Sequence, residues 1–165
     1  FTYQGDGDLA SIGLSEIMHS ANRGERFSVV FVNNTVYGMT GGQMAPTTLI
    51  GQKTTTCPGG RCQDREGLPM RMAEIMAELG GVAYSARGAT NNVKNIMKAK
   101  KAVRRAFEVQ LNDQGFGFVE LLSACPTNWR MTPVQANERI EEEMIPYFPL
   151  GVFKDVGDIT EEGQE

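Results

Sequence analysis

The sequence predicts an α/β fold, a doubly wound, mostly parallel sheet with helices on both faces. Three observations carry that expectation. Short strand-like runs alternate with amphipathic helix-like runs along the chain, the pattern of a parallel sheet built from crossovers. The run Phe27-Ser28-Val29-Val30-Phe31-Val32 is nearly all apolar and rich in β-branched residues, as in a strand covered on both faces. A glycine-rich turn, Gly5-Asp6-Gly7-Asp8, stands at the first junction of strand and helix, where such folds place their ligands.

The elements follow in order. Phe1-Thr2-Tyr3-Gln4 reads as a strand, and because it opens the chain without a methionine, an N-terminal part is expected to be missing. Ile12, Leu14, Ile17, Met18 and Ala21 recur at three- and four-residue steps, giving a helix stopped at Gly24. After the Phe27–Val32 strand, residues 35–67 are rich in Gly, Thr, Pro and Gln without periodicity. So long a connection is either functional or disordered. Pro69 suits a first helical turn, and Met72, Ile75, Met76 and Leu79 share a face before Gly80-Gly81. Val82–Ser85 is the next strand. From Asn92 to Leu111 a long amphipathic helix places Val93, Ile96, Met97, Val103, Phe107 and Leu111 on one apolar stripe. Phe116–Leu122 is a further strand, and Thr132-Pro133-Val134-Gln135 has the spacing of a capping box opening a last helix. Residues 1–153 are expected to form one domain, and 154–165 an acidic, disordered tail.

At 165 residues, 41% hydrophobic and 22% charged, the chain has room for a single core. Its net charge of −4 argues against an electrostatic grip on nucleic acid or acidic lipid. No apolar run approaches the roughly 18 residues of a membrane span and no leader pattern is present, so a cytoplasmic location is expected. Three cysteines do not make a secreted disulfide framework.

The chemistry concentrates at two strand ends. Glycines at Gly5 and Gly7 let a ligand approach the backbone, and a helix N-terminus favours phosphate. Asn33-Asn34-Thr35-Val36-Tyr37 follows the next strand, whose end should be adjacent. Magnesium takes hard oxygen ligands, commonly one or two from protein beside phosphates and water. The Asp6 carboxylate, the Asn34 amide oxygen and the Val36 carbonyl would supply three, against the plainer reading of a polar turn.

Gly-Asp-Gly, a helix, a strand and Asn-Asn together are similar to the signature of thiamine diphosphate enzymes. Tyr37-Gly38-Met39-Thr40-Gly41-Gly42-Gln43, Pro46-Thr47-Thr48, Cys125-Pro126-Thr127-Asn128-Trp129 and Pro149-Leu150-Gly151 resemble the beta subunits of 2-oxoacid:ferredoxin oxidoreductases over nearly the whole chain. The resemblance implies a thiamine diphosphate-binding fold with Asp6, Asn34 and Val36 as magnesium ligands. It implies a cofactor-binding set of Gly5, Asp6, Gly7, Asp8, Asn34, Val36, Tyr37, Thr40 and Gly41, with Asp8 also a helix cap. Met39 would stand beside the thiazolium ring and the substrate; its plainer reading is a buried gap-filler. Cys125 resembles the fourth ligand of a [4Fe–4S] cluster whose other three cysteines lie outside this sequence.

The implied reaction is oxidative decarboxylation of a 2-oxoacid, 2-oxoglutarate or 2-oxoisovalerate, to an acyl-coenzyme A, with electrons passed to ferredoxin. The activating glutamate would come from an alpha-type subunit carrying the pyrimidine-binding domain, so the chain alone is expected to be inactive. Two alternatives stand beside it. A non-redox thiamine diphosphate enzyme, a decarboxylase or acetolactate synthase relative, would not need Cys125, and a non-catalytic nucleotide-binding module would bind a nucleotide instead. Cys57 and Cys62 are too few for a zinc site without a histidine. His19 is expected to pack or cap, and the basic stripe Lys94–Arg105 to be solvated, or else to receive ferredoxin or the coenzyme A phosphates.

Overall fold

The structure, a computed structural model, describes residues 1–157. Thr2–Gly5 forms β1 and runs into a π-helical segment, Asp8–Ile12, followed by α1, Leu14–Arg23. Ile17 and Ala21 are the buried positions of α1, which closes at Gly24 in the left-handed conformation, the stop expected from the sequence. Then come β2 (Ser28–Asn33), a short hairpin of β3 (Val36–Tyr37) and β4 (Gln43–Met44), and a single turn, α2 (Gln63–Glu66). Helix α3 spans Met72–Ala77, so Pro69 lies ahead of it rather than in its first turn. Strand β5 covers Val82–Ala89, twice the expected length and buried throughout. Helix α4 (Val93–Leu111), β6 (Phe116–Leu122), α5 (Pro126–Trp129) and α6 (Pro133–Arg139) follow. The capping box at Thr132 is present as expected, Gln135 N–H donating to Thr132 Oγ1 and Thr132 N–H to Gln135 Oε1. A π-helical segment, Ile140–Met144, α7 (Ile145–Tyr147) and β7 (Gly151–Asp155) complete the order.

The main sheet runs β1-β2-β6-β5-β7, its first four strands parallel and β7 antiparallel on the edge. Alternation along β6 assigns the faces. Phe116 and Phe118 join Phe31 and the inner sides of α1 and α3, whereas Val119 packs with Ala106 and Val109 of α4. Each of the three buried phenylalanines contributes about 1.5–3 kcal/mol through area removed from water. A third cluster, Trp129, Ile140, Met144 and Phe148 with Val36, Leu49 and Leu122, lies at the carboxyl end of the strands and carries the turn of residues 33–37 that follows β2.

Two expectations need correction. The stripe Val93, Ile96, Met97 and Leu111 does not face the sheet; these side chains are exposed, and the buried positions of α4 are Asn95, Ala99, Ala106 and Val109. The reason is close approach: a Cβ at Gly88 would sit 3.0 Å from Ala99 Cβ, and one at Gly117 2.8 Å from the Ala106 carbonyl. Only small residues on both sides let helix and sheet come this near. Of the two readings left open for residues 35–67, functional or disordered, the second does not hold: a hairpin, turns and buried polar side chains order them. β7 carries the sheet across the boundary expected at 153/154, and residues 158–165 of the acidic tail lie outside the described residues. Among the described residues no helix is long and apolar enough to cross a membrane.

Candidate active site at the carboxyl ends of β1 and β2

Gly5 pairs with Val32 across β1 and β2, so Asp6 and Asn34 leave the sheet side by side. Asp6 is 2% exposed. Its Oδ2 accepts the Asn34 N–H at 2.9 Å, and its Oδ1 accepts the Thr47 hydroxyl. Burial pushes the Asp6 pKa up to about 7, with Thr47 and Asn34 pulling the other way and the Glu120 carboxylate adding to the rise.

The amide of Asn34 has two settings. With nitrogen turned inward it donates to Asp6 Oδ2 at 2.8 Å and to the Val36 carbonyl at 2.7 Å. With oxygen inward it accepts the Val36 N–H at 3.3 Å, and the amide oxygen then stands beside both the Asp6 carboxylate, 2.8 Å away, and the Val36 carbonyl, 2.7 Å away. Neighbouring oxygens around octahedral magnesium stand about 2.9 Å apart, given metal–oxygen distances of 2.0–2.1 Å. The three donors thus fit a hard divalent cation; without one, the amide nitrogen settles the same two acceptors.

Thr35, between Asn34 and Val36, is fully buried with φ 62, a conformation that costs a threonine roughly 1–3 kcal/mol. Neighbouring groups hold it there. Its N–H donates to Asn33 Oδ1 at 3.1 Å, and its carbonyl accepts Thr48 Oγ1 at 2.6 Å and Gln52 Nε2 at 3.2 Å. The Trp129 indole N–H donates to the Asn34 carbonyl at 3.1 Å, with the Arg139 guanidinium 4.6 Å above the Trp129 ring.

Beneath the loop lies a buried ionic network. Asn33 Nδ2 donates to Glu120 Oε1 at 2.7 Å, while Glu120 Oε2 accepts Arg87 Nε at 2.9 Å and the Ala73 N–H at 3.1 Å. Arg87 also binds Glu74 and the Pro149 carbonyl.

The remaining expected residues divide. Gly7 lies against the Tyr37 ring, where a Cβ would come within 3.2 Å of Cδ1. Gly5 and Asp8 are exposed at the opening of the first helical turns, and the Asp8 side chain caps nothing, because Asp8 sits inside the segment rather than ahead of it. Met39, Thr40 and Gly41 form the exposed tip of the β3–β4 hairpin, closed by Gly42 N–H on the Tyr37 carbonyl at 2.8 Å. Met39 is wholly exposed, which overturns its reading as a buried gap-filler. Cys125 is half-buried beside this hairpin, with Asn128 Nδ2 3.2 Å from its sulfur and donating also to the Gly38 carbonyl at 3.1 Å. Cys57 is buried and Cys62 half-buried, both unpaired, and among the described residues no three His, Cys, Asp or Glu side chains cluster as metal ligands. His19 is exposed, neither packed nor a cap.

Thr47 and Thr48 were read only within the Pro46-Thr47-Thr48 motif, without a role, and Gln52, Arg61 and the Glu120–Arg87 pair escaped the reading of the sequence. Only the last left a signal: a charged residue within each of two otherwise apolar strands.

This fold and site define a class: the chain belongs to the thiamine pyrophosphate enzymes, its residues 1–121 matching their C-terminal TPP-binding domain. Within that class it is similar to the ketoisovalerate oxidoreductase subunit VorA of Methanothermobacter marburgensis, with 54% identity over 159 residues, 96% of this chain and 33% of the relative. The 2-oxoglutarate synthase subunit KorB of Archaeoglobus fulgidus is 36% identical over 162 residues, 92% of this chain and 56% of the relative. The chain thus spans about a third of the first relative's length and about half of the second's. Among solved structures, the 2-oxoglutarate:ferredoxin oxidoreductase from Magnetococcus marinus with 2-oxoglutarate, coenzyme A and succinyl-CoA bound shares the fold, with a TM-score of 0.64 at 23% identity over 94% of this chain and 56% of that one.

Proposed function

We infer that the chain supplies the magnesium–diphosphate end of the cofactor site in a 2-oxoacid:ferredoxin oxidoreductase. The observation that carries this reading is the meeting of the Asp6, Asn34 and Val36 oxygens at a buried carboxylate with no protein cation beside it among the described residues. Asp6, Asn34 and the Val36 carbonyl would hold Mg²⁺, and Gly7 and Asp8, opening the first helical turns, would meet the diphosphate. Thiamine diphosphate, when bound, supplies the nucleophilic carbon for decarboxylation. This chain would hold the diphosphate through the metal at Asp6, Asn34 and Val36, offer the exposed hairpin tip of Met39, Thr40 and Gly41 to the rest of the cofactor and the substrate, and keep water from the buried Asp6 side.

The 54% identity to a ketoisovalerate oxidoreductase subunit, against 36% for a 2-oxoglutarate synthase subunit, supports a branched 2-oxoacid such as 2-oxoisovalerate as substrate. Cys125 would be the fourth ligand of a [4Fe–4S] cluster completed by the longer polypeptide, with the Asn128 N–H on its sulfur tuning the cluster. An alpha-type subunit would provide the activating glutamate, coenzyme A would accept the acyl group and ferredoxin the electrons.

Calorimetry of the complete enzyme with thiamine diphosphate and Mg²⁺, beside 2-oxoisovalerate-dependent ferredoxin reduction, tests the reading. Binding that needs both Mg²⁺ and Asp6 is expected. Full activity in Asp6→Ala, or an enzyme that decarboxylates without reducing ferredoxin, would overturn it.

A further inference from the structure

From Ala45 to Leu68 the chain has no helix longer than the single turn of α2, yet its path is closely held. At its centre Arg61 is 5% exposed. Its hydrogen-bond partners are main-chain carbonyls: Nε donates to Gly67 at 2.9 Å, Nη1 to Ala45, Pro46 and Thr48 at 3.2, 2.8 and 2.8 Å, and Nη2 to Glu66 and Leu68 at 3.1 and 3.0 Å. Its own backbone is tied in as well, Arg61 N–H donating to the Gln52 carbonyl at 3.1 Å and Gly51 N–H to the Arg61 carbonyl at 2.8 Å. A guanidinium presents five donors in a rigid plane, so it fixes residues 45–48 relative to 66–68. The side chains it fixes are those that touch the ligand loop. Thr47 donates to Asp6, while Thr48 and Gln52 donate to the Thr35 carbonyl.

We propose that Arg61 is a positioning residue for the metal site: by gathering the carbonyls of Ala45, Pro46 and Thr48 it holds Thr47 against Asp6, and Thr48 and Gln52 against Thr35, so that the three ligand oxygens stay in register. The proposal rests on the reading of Asp6, Asn34 and Val36 as the magnesium site. It also gives the Cys57–Cys62 segment its role, as the frame that delivers Arg61. The turn is made by Gly60 N–H on the Cys57 carbonyl at 3.1 Å, and Cys62 N–H is tied to Glu66 Oε2 at 2.6 Å. Lysine cannot substitute, because one ammonium cannot span carbonyls on both sides of the fork.

The experiment uses the complete enzyme, with magnesium half-saturation measured at fixed thiamine diphosphate and kcat measured at saturating cofactors. Thr47→Val is expected to raise the magnesium half-saturation about tenfold, as removal of outer-shell partners does, and to change kcat much less. Thr47→Ser, which restores the hydroxyl, should return it to near the original value. Arg61→Lys should move the half-saturation in the same direction, and the double variant Arg61→Lys/Thr47→Val should be no worse than the poorer single, since the Thr47 contact is among those that Arg61 holds. Arg61→Lys that lowers the unfolding temperature while leaving magnesium half-saturation unchanged would overturn the proposal, as would a double variant whose effects add. Should Arg61→Lys fail to fold, Thr47→Val and Thr48→Val decide: unchanged half-saturation in both overturns the proposal, and a rise in both supports it. An unsubstituted enzyme that takes up no magnesium with thiamine diphosphate removes the site itself, a failure distinct from one confined to the variants.

Discussion

Asp6 and Glu120 are both buried carboxylates, one just beyond the carboxyl end of β1 and the other toward the carboxyl end of β6, the two strands that flank β2, and the fold treats them in opposite ways. Glu120 receives Arg87, the Ala73 N–H and the Asn33 amide, so its charge is met inside the protein. Asp6 receives a hydroxyl and one N–H, and among the described residues no cationic side chain comes within ion-pair distance. Taking a carboxylate out of water costs several kcal/mol unless it is paired. A carboxylate given its own cation reads as architecture, whereas one left short reads as the place for a cation from outside.

The largest effect should come from breaking the satisfied member. Glu120→Ala leaves Arg87 buried and half-paired, and should cost about 3–5 kcal/mol in denaturant unfolding. Asp6→Asn should leave the metal-free stability unchanged or higher. Equal losses from both would erase the distinction.

Next is pH. The native pKa of Asp6 is raised from 3.8 to about 7, so the folded state holds a proton that the unfolded state has released. The stability this gives is present below about pH 4 and is lost as pH rises through 7, by up to roughly 4 kcal/mol without metal. Glu74 behaves oppositely: burial raises its pKa, but Arg87 outweighs that and the net shift is downward. Its contribution is therefore present above pH 4.5 and fades as the acid limb is approached. Unfolding midpoints from pH 5 to 8 should fall in the wild type and stay level in Asp6→Asn.

Adding a divalent cation with the cofactor should then separate the two proteins. Thiamine diphosphate with Mg²⁺ at about 100 times their dissociation constant should stabilise the wild type by about 2.7 kcal/mol and Asp6→Asn hardly at all. Thermal shifts in both proteins check this. Smallest of all, Met39→Ala should change stability by no more than about 0.5 kcal/mol, since its side chain is in solvent. Its effect, if the hairpin tip meets the ring, belongs in the KM for the 2-oxoacid. A large loss of stability would mean that the tip is part of the core.

Much of this was legible in the residues. The Gly5–Asp8 turn, the apolar β2 run and the Asn33-Asn34 pair place two oxygen donors at adjacent strand ends, because a right-handed crossover between parallel neighbours brings their ends together. The stop at Gly24 and the capping box at Thr132 are local signals, and local signals survive folding. The errors lie where packing overrode pattern. The exposed stripe of α4 obeys helical periodicity as well as the buried alanine face does, and only Gly88 and Gly117 on the sheet decide which of them turns inward. β7 begins at an exposed Gly151-Val152 with no alternation to mark it, and it exists because β5 offers an edge.

The order of the four parallel strands and of the helices α1, α3, α4 and α6, and the oxygen-donor types at two strand ends with their spacing, were determined by the sequence alone, since each depends on residues close together or on one crossover. What only the tertiary structure decided is which polar groups are compensated. Thr47 reaches Asp6 from 41 residues away, and Arg87 reaches Glu120 from 33. A carboxylate's partner is a matter of distance and burial, and neither is written in the neighbouring letters.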